Sequence, residues 1–163
     1  MTDTLLAIDP GQVSGWSLWL VPDDLPMQRI EYGLVHNGRP GFLEWMADKL
    51  GPLRPDILVC EQWRTRDGAA DITPVYIEGQ LEAVCAALAM EITWQGTDMK
   101  AMCSDDTLRQ HGLYIMPAEA KVDPAILHID ARDVNDSQRH ALGWGKAHGH
   151  EPTVDLYWPE MTL

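Results

Sequence analysis

Long apolar runs are missing from this chain. Nowhere does it reach the roughly 18 consecutive apolar residues of a membrane-spanning helix, and its first residues lack the basic-then-apolar order of a secretory signal. The expectation is a soluble, cytoplasmic protein without a membrane partner. Cysteine is scarce as well. Cys60, Cys85 and Cys103 make an odd count with no CxxC spacing, and Cys60 and Cys85 lie in apolar runs. That pattern argues against a disulfide frame or a zinc cluster and for small buried hydrophobes in a reducing compartment. The third shortage is of positive charge: 12 Lys and Arg stand against 25 Asp and Glu, a formal net charge of −13. Such a chain repels a phosphate backbone at long range. A nucleic-acid reading therefore requires basic residues gathered on one face, or divalent cations bridging carboxylates to phosphate. At 163 residues, one domain is long enough to bury about 68–70% of its unfolded surface without staples.

What is present begins with residues 4–19, TLLAIDPGQVSGWSLW. Leu5, Leu6, Ala7 and Ile8 form a short apolar run that suits a strand covered on both faces, and it runs into Asp9. Pro10-Gly11 signals a turn, Gly15 lets backbone pass close by, and an alternating second strand follows. Asp9 has two readings at this point: an acid at the mouth of a hairpin, or a turn-opening residue that accepts hydrogen bonds from its own backbone.

Residues 29–36 alternate as a third strand, completing a meander. Phe42, Trp45, Met46 and Leu50 recur at helical spacing, with Gly51-Pro52 expected to end that helix. Ile57 to Cys60 repeat the buried-strand pattern and lead into Glu61 as the first strand leads into Asp9. A strand reached through a helical crossover runs parallel to the first, which would bring the two terminal acids together. Arg64 and Arg66 follow in a polar loop and are the basic residues best placed to meet a substrate. A long helix over 74–90 carries Ile77, Leu81, Val84, Cys85 and Leu88 as its apolar stripe, with Pro74 near its first turn. Residues 92–95 read as a fifth strand, Thr97-Asp98 as a helix cap with Lys100 behind it, 104–111 as a short capped segment and 113–130 as loop. The last helix is expected from about Arg132 to His148, packed through Val134, Ser137, Ala141 and Trp144. Asp133, Asp136 and His140 line a neighbouring face. Two acids one turn apart repel by a few tenths of a kcal/mol. Either a bound cation compensates, or both acids simply favour the positive N-terminal end of the helix. Residues 151–163 read as a C-terminal tail on a domain of residues 1–150.

Asp9, Glu61, Asp133 and Asp136 together form an oxygen-only set that suits Mg2+ or Mn2+. Two such ions about 3.5–4 Å apart activate water and clamp a scissile phosphate, the chemistry of phosphodiester hydrolysis.

The order of elements and the pieces AIDPGQVSGW (7–16), LVCEQ (58–62), EGQLEAV (78–84), TDMK (97–100) and DVNDSQRHAL (133–142) resemble the ribonuclease H-like superfamily. Within it, the chain is similar to the RuvC-type Holliday junction resolvases, the small phage-encoded ones in particular. The resemblance covers roughly residues 4–149 in patches. It implies an α/β ribonuclease H-like fold with a five-stranded mixed sheet of order 3-2-1-4-5 flanked by helices. It further implies a metal-dependent endonuclease for branched DNA with two Mg2+ or Mn2+ ions per site, located in the host cytoplasm if phage-encoded. Asp9 would bridge both ions, with Glu61, Asp133 and Asp136 completing their shells. Lys100 would lie near the DNA backbone, and His140 would serve as a proton donor, an outer-shell group or helix packing. A homodimer would form through the long helix, and Trp63 or Tyr76 would either stack on unpaired bases or pack structurally. The strong acidity and the sequence after Asp136 depart from the family pattern, which bears on affinity and substrate choice.

Three rivals remain at this stage. Actin-like kinases need two such domains, more than 163 residues supply. A non-catalytic ribonuclease H-like binding module fits the acidic surface but not the full set of four acids. A nuclease for RNA–DNA hybrids or flaps would share the metal site, because those substrates are distinguished outside it.

Overall fold

The structure, a computed structural model, describes residues 1–64, 71–116 and 127–161. Strands β1 (Thr2–Asp9), β2 (Ser14–Pro22) and β3 (Gln28–Val35) form the antiparallel meander, and β4 (Ile57–Glu61) and β5 (Ile92–Gln95) extend it in parallel. The sheet order is β3-β2-β1-β4-β5, as the resemblance implies.

Side chains alternate across a strand, so the central strands β1 and β4 feed two cores. Leu6, Ile8, Leu58 and Cys60 face one way. They pack with Phe42, Met46 and Leu50 and with Ile77, Leu81 and Cys85 of helix α3 (Thr73–Leu88). Leu5, Ala7 and Val59 face the other way, with Ala141 and Leu142 of helix α5 (Leu127–Ala147), Leu108 of helix α4 (Asp105–Gln110), and Tyr157 and Trp158. Tyr157 closes helix α6 (Glu151–Tyr157), so residues after 150 contribute to this core. All three cysteines are buried and free, and burial pushes the Cys85 thiol up to about 11 and Cys103 up to about 12.

Three local expectations are corrected. The helix over Phe42 does not stop at Gly51-Pro52. It runs as α1 (Gly38–Trp45), a π-helical stretch (Met46–Leu50) and a last turn α2 (Gly51–Leu53), ending at Arg54 with φ 39°. The wider π turn immediately precedes Pro52, whose ring would clash with the carbonyl four residues back in a regular α-helix. Thr97 and Asp98 do not cap a helix: tight turns from Gly96 and Asp98 lead into a 3-10 turn, Lys100–Met102. Helix α5 begins at Leu127, five residues before the expected start. Asp133 and Asp136 therefore lie in its second and third turns. The helix dipole acts mainly on the first turn, so it does not account for this pair. By contrast, Ser104 caps α4 as its sequence indicates, accepting from Thr107 N–H.

Candidate metal centre

The alternation that sorts the core also aims the acids. Asp9 follows Leu5 and Ala7 on the α5 side of β1, and Glu61 follows Val59 on the α5 side of β4. Gln95 is paired with Glu61 across the β4–β5 ladder and shares its face. Three adjacent strands thus end in Asp9, Glu61 and Gln95, all buried, beneath α5.

Helix α5 is held against the strands by close backbone contact. A Cβ on Gly15 would lie 2.0 Å from the Asp133 carbonyl oxygen, so only glycine at β2 permits this approach. A Cβ on Gly143 would lie 3.1 Å from the Met99 carbonyl oxygen, which sets the 3-10 turn carrying Lys100 against the same helix. The result is one focus. Lys100 Nζ lies 3.0 Å from Asp9 Oδ1, 2.6 Å from Glu61 Oε2 and 3.0 Å from Asp136 Oδ2. Asp136 also accepts from Arg139, which in turn pairs with Asp105 of α4 and donates to the Cys103 carbonyl. His140, fully buried, sits one turn further on: its Nδ1 is 2.7 Å from Gln95 Oε1 and its Nε2 is 3.5 Å from Glu61 Oε2.

The charges are strongly perturbed. Burial, then a hydrogen bond with Glu61 and the charges of Glu61 and Asp136, raise the Asp9 carboxyl well above its ordinary range against the pull of Lys100. Burial pushes Glu61 upward too, but the neighbouring His140, Asp9 and Lys100 outweigh it and hold Glu61 low. These opposite directions describe two crowded carboxyls that titrate as a pair. Burial works against the Lys100 charge, yet Asp9, Asp136 and Glu61 overcome it and raise the ammonium's pKa. Three carboxylates thus surround one ammonium, and the surplus is negative. Asp9, Glu61 and His140 each offer a ligand atom within 4.8 Å of the others. This donor set and its excess charge fit a divalent cation.

Asp9, Glu61 and Asp136 are brought together, and Asp133 is half-buried on α5 beside Gly15. Lys100, expected at the DNA backbone, has its ammonium among the carboxylates. Arg64 is exposed, and Arg66 lies outside the described residues. Trp63 is half-buried, its N–H donating to Glu78, while Tyr76 is half exposed beneath the Arg39 guanidinium. Sequence reasoning missed Gln95 and Arg139. Gln95 had a signal available, since it ends a strand as Asp9 and Glu61 do; Arg139, at helical spacing from Asp136, had the i, i+3 pairing.

No protein-family model matches the chain, and no curated protein matches it by sequence. Solved structures do match. Thermus thermophilus RuvC in complex with a Holliday junction substrate superposes with TM-score 0.56 at 16% identity, covering 90% of this chain and 97% of that one. The yeast mitochondrial Holliday junction resolvase Ydc2 gives TM-score 0.66 at 14% identity, over 98% and 84%. The fowlpox virus Holliday junction resolvase gives 0.59 at 12%, over 88% and 99%. At these identities the likeness establishes the fold: this chain has the architecture those resolvases share.

Proposed function

We propose that this chain is a metal-dependent endonuclease that hydrolyses phosphodiester bonds in branched DNA, with four-way junctions as its main substrate. The observation that carries the reading is the convergence of Asp9, Glu61 and Asp136 on a single cationic focus, at strand ends where water is scarce. Asp9, Glu61 and Asp136, with Asp133 on the same helix, would hold Mg2+ or Mn2+, one or two ions. Bound there, such ions supply charge neutralisation at the phosphate and a water of lowered pKa. The protein's own part is positional. Arg139 fixes the direction of the Asp136 carboxylate, Gln95 orients the His140 ring beside Glu61, and Lys100 keeps the cluster assembled within reach of a backbone phosphate. Arg64 and Arg66, following Glu61, would contact the flanking backbone and offset the repulsion of a −13 chain. A homodimer through α3, presenting two such sites to strands of opposite polarity, belongs to the same proposal, as does a cytoplasmic setting. The resolvases that share the fold support it.

The test is cleavage of an immobile four-way junction beside linear duplex, fork and RNA–DNA hybrid, with Mg2+, Mn2+ or EDTA. Paired nicks in the junction should vanish with EDTA and fall at least about a thousandfold in Asp136→Asn, the scale of several kcal/mol of lost charge stabilisation. Lys100 seated among the carboxylates also suits a purely structural ion network. Folded, metal-supplied protein that cuts none of these substrates would establish that second reading.

A further inference from the structure

His140 is fully buried, and among the described residues its Nε2 has no hydrogen-bond partner. The other ring nitrogen is engaged, with Nδ1 2.7 Å from Gln95 Oε1. An amide oxygen only accepts, so this contact puts a proton on Nδ1, and in the neutral imidazole the Nε2 lone pair is then bare. That lone pair faces Glu61 Oε2 at 3.5 Å, and with oxygens of Asp9 and Glu61 it forms a set whose members all lie within 4.8 Å of one another. The opposite tautomer would put a proton on Nε2 with no acceptor in hydrogen-bonding geometry, a buried donor left unsatisfied. A bare nitrogen lone pair facing carboxylate oxygens is repulsive until a cation lies between them. Two donors bound at about 2.1 Å can be no more than about 4.2 Å apart, and 3.5 Å lies inside that limit.

We propose, resting on the metal-dependent reading above, that His140 Nε2 is an inner-sphere ligand of the cation held by Asp9 and Glu61. The site therefore takes a first-row transition ion, Mn2+ among them, in preference to Mg2+. The chemistry supports the preference: imidazole suits transition ions, whereas Mg2+ favours oxygen ligands and keeps its water reluctantly displaced. Gln95 has the second role that metal-binding histidines usually require. It accepts the far N–H, fixing both tautomer and ring orientation. Its position at the end of β5, in register with Glu61, ties that brace to the sheet.

The experiment uses the full chain loaded with Mn2+ in the absence of DNA. Pulsed EPR of the bound Mn2+ should show hyperfine coupling to a directly bonded nitrogen, and that coupling should disappear in His140→Gln. Calorimetry should give tighter binding of Mn2+ than of Mg2+ in the wild type. His140→Gln should weaken Mn2+ binding at least about tenfold while changing Mg2+ binding much less, and Gln95→Leu should weaken Mn2+ by about 10–100-fold. The wild-type spectrum decides even if a variant fails to fold. Bound Mn2+ without nitrogen coupling, or with coupling that persists in His140→Gln, overturns this inference and leaves the nuclease reading intact. A folded protein that binds neither Mn2+ nor Mg2+ overturns both.

Discussion

The parallel strands β1 and β4 carry carboxylates at both ends, and the ends are built to opposite rules. At the N-terminal end Asp56 accepts from Thr4 N–H and Thr4 Oγ1, each 2.8 Å from the same oxygen, while Thr4 Oγ1 accepts from Asp56 N–H. Those bonds lie in the open, and they lower the Asp56 pKa chiefly through the Thr4 backbone bond. At the C-terminal end Asp9 and Glu61 are buried and crowd each other, and they draw on one lysine ammonium shared with Asp136. The first arrangement is complete in itself, since one carboxylate oxygen takes both a backbone N–H and a hydroxyl of the same residue. The second leaves like charges together in a dry place, stabilised by a cation on a flexible side chain that another cation can replace. A carboxylate of the first kind clamps a strand; one of the second kind is held ready for a ligand.

The largest expected effect comes from the packing that makes the C-terminal end possible. Gly15→Ala puts a methyl carbon 2.0 Å from the Asp133 carbonyl oxygen, both on backbone that cannot swing aside. Helix α5 must move off β2, costing about 3 kcal/mol or more in denaturant unfolding. Any cleavage should fall even where the protein remains folded, because Asp136 and His140 move with the helix. Unchanged stability would mean that α5 is not seated on Gly15. The next effect separates the ends by their cations. Lys100→Met leaves three carboxylates without their shared ammonium and should cost about 2 kcal/mol in EDTA, a value reduced because the lysine side chain is 20% exposed. Adding Mn2+ should close the gap with wild type, and the variant should bind the ion more tightly, having lost the competing charge. A thermal-shift titration in both proteins reads this directly. A gap that Mn2+ does not narrow would place the ion elsewhere.

Much of this was legible in the sequence. The runs Leu5 to Ile8 and Ile57 to Cys60 identified two buried strands ending in acids, and period-two alternation was enough to put those acids on one face. Helix α3 could be read from pattern alone, whereas the sheet order followed from the resemblance to the ribonuclease H-like fold. The start of α5 could not be read, because Pro117 and Pro124 make residues 113–130 read as loop, and that hid the depth at which Asp133 and Asp136 lie in the helix. The location of the Lys100 ammonium was equally hidden. It depends on a 3-10 turn pressed against Gly143, a contact between segments more than 40 residues apart that no local period encodes. Gln95 and Arg139 escaped for a similar reason: each acts on a neighbour, and only the three-dimensional register shows which one.

The smallest effects test whether the N-terminal end is as self-contained as its geometry implies. Thr4→Val keeps the backbone donor to Asp56 but removes the hydroxyl that gives one bond and takes another. The cost should be about 0.5–1 kcal/mol, with metal binding and cleavage unchanged. Its pH dependence has a definite sign. The folded-state pKa of Asp56 is lowered, so the unfolded chain takes up its proton first as the solution is acidified. The stability that Thr4 confers on Asp56 is therefore fully present above about pH 4, the ordinary aspartate range, and is lost as pH falls through the folded value. The difference between wild type and Thr4→Val in urea midpoints should be largest at pH 6 and narrow as the pH falls below about 4, measured with EDTA to silence the opposite end. At that opposite end the raised Asp9 pKa has the reverse sign, costing stability as pH climbs above the unfolded value. A Thr4→Val difference that widened on acidification would mean that Asp56 is not held by Thr4, and the contrast between the two ends would lose its structural half.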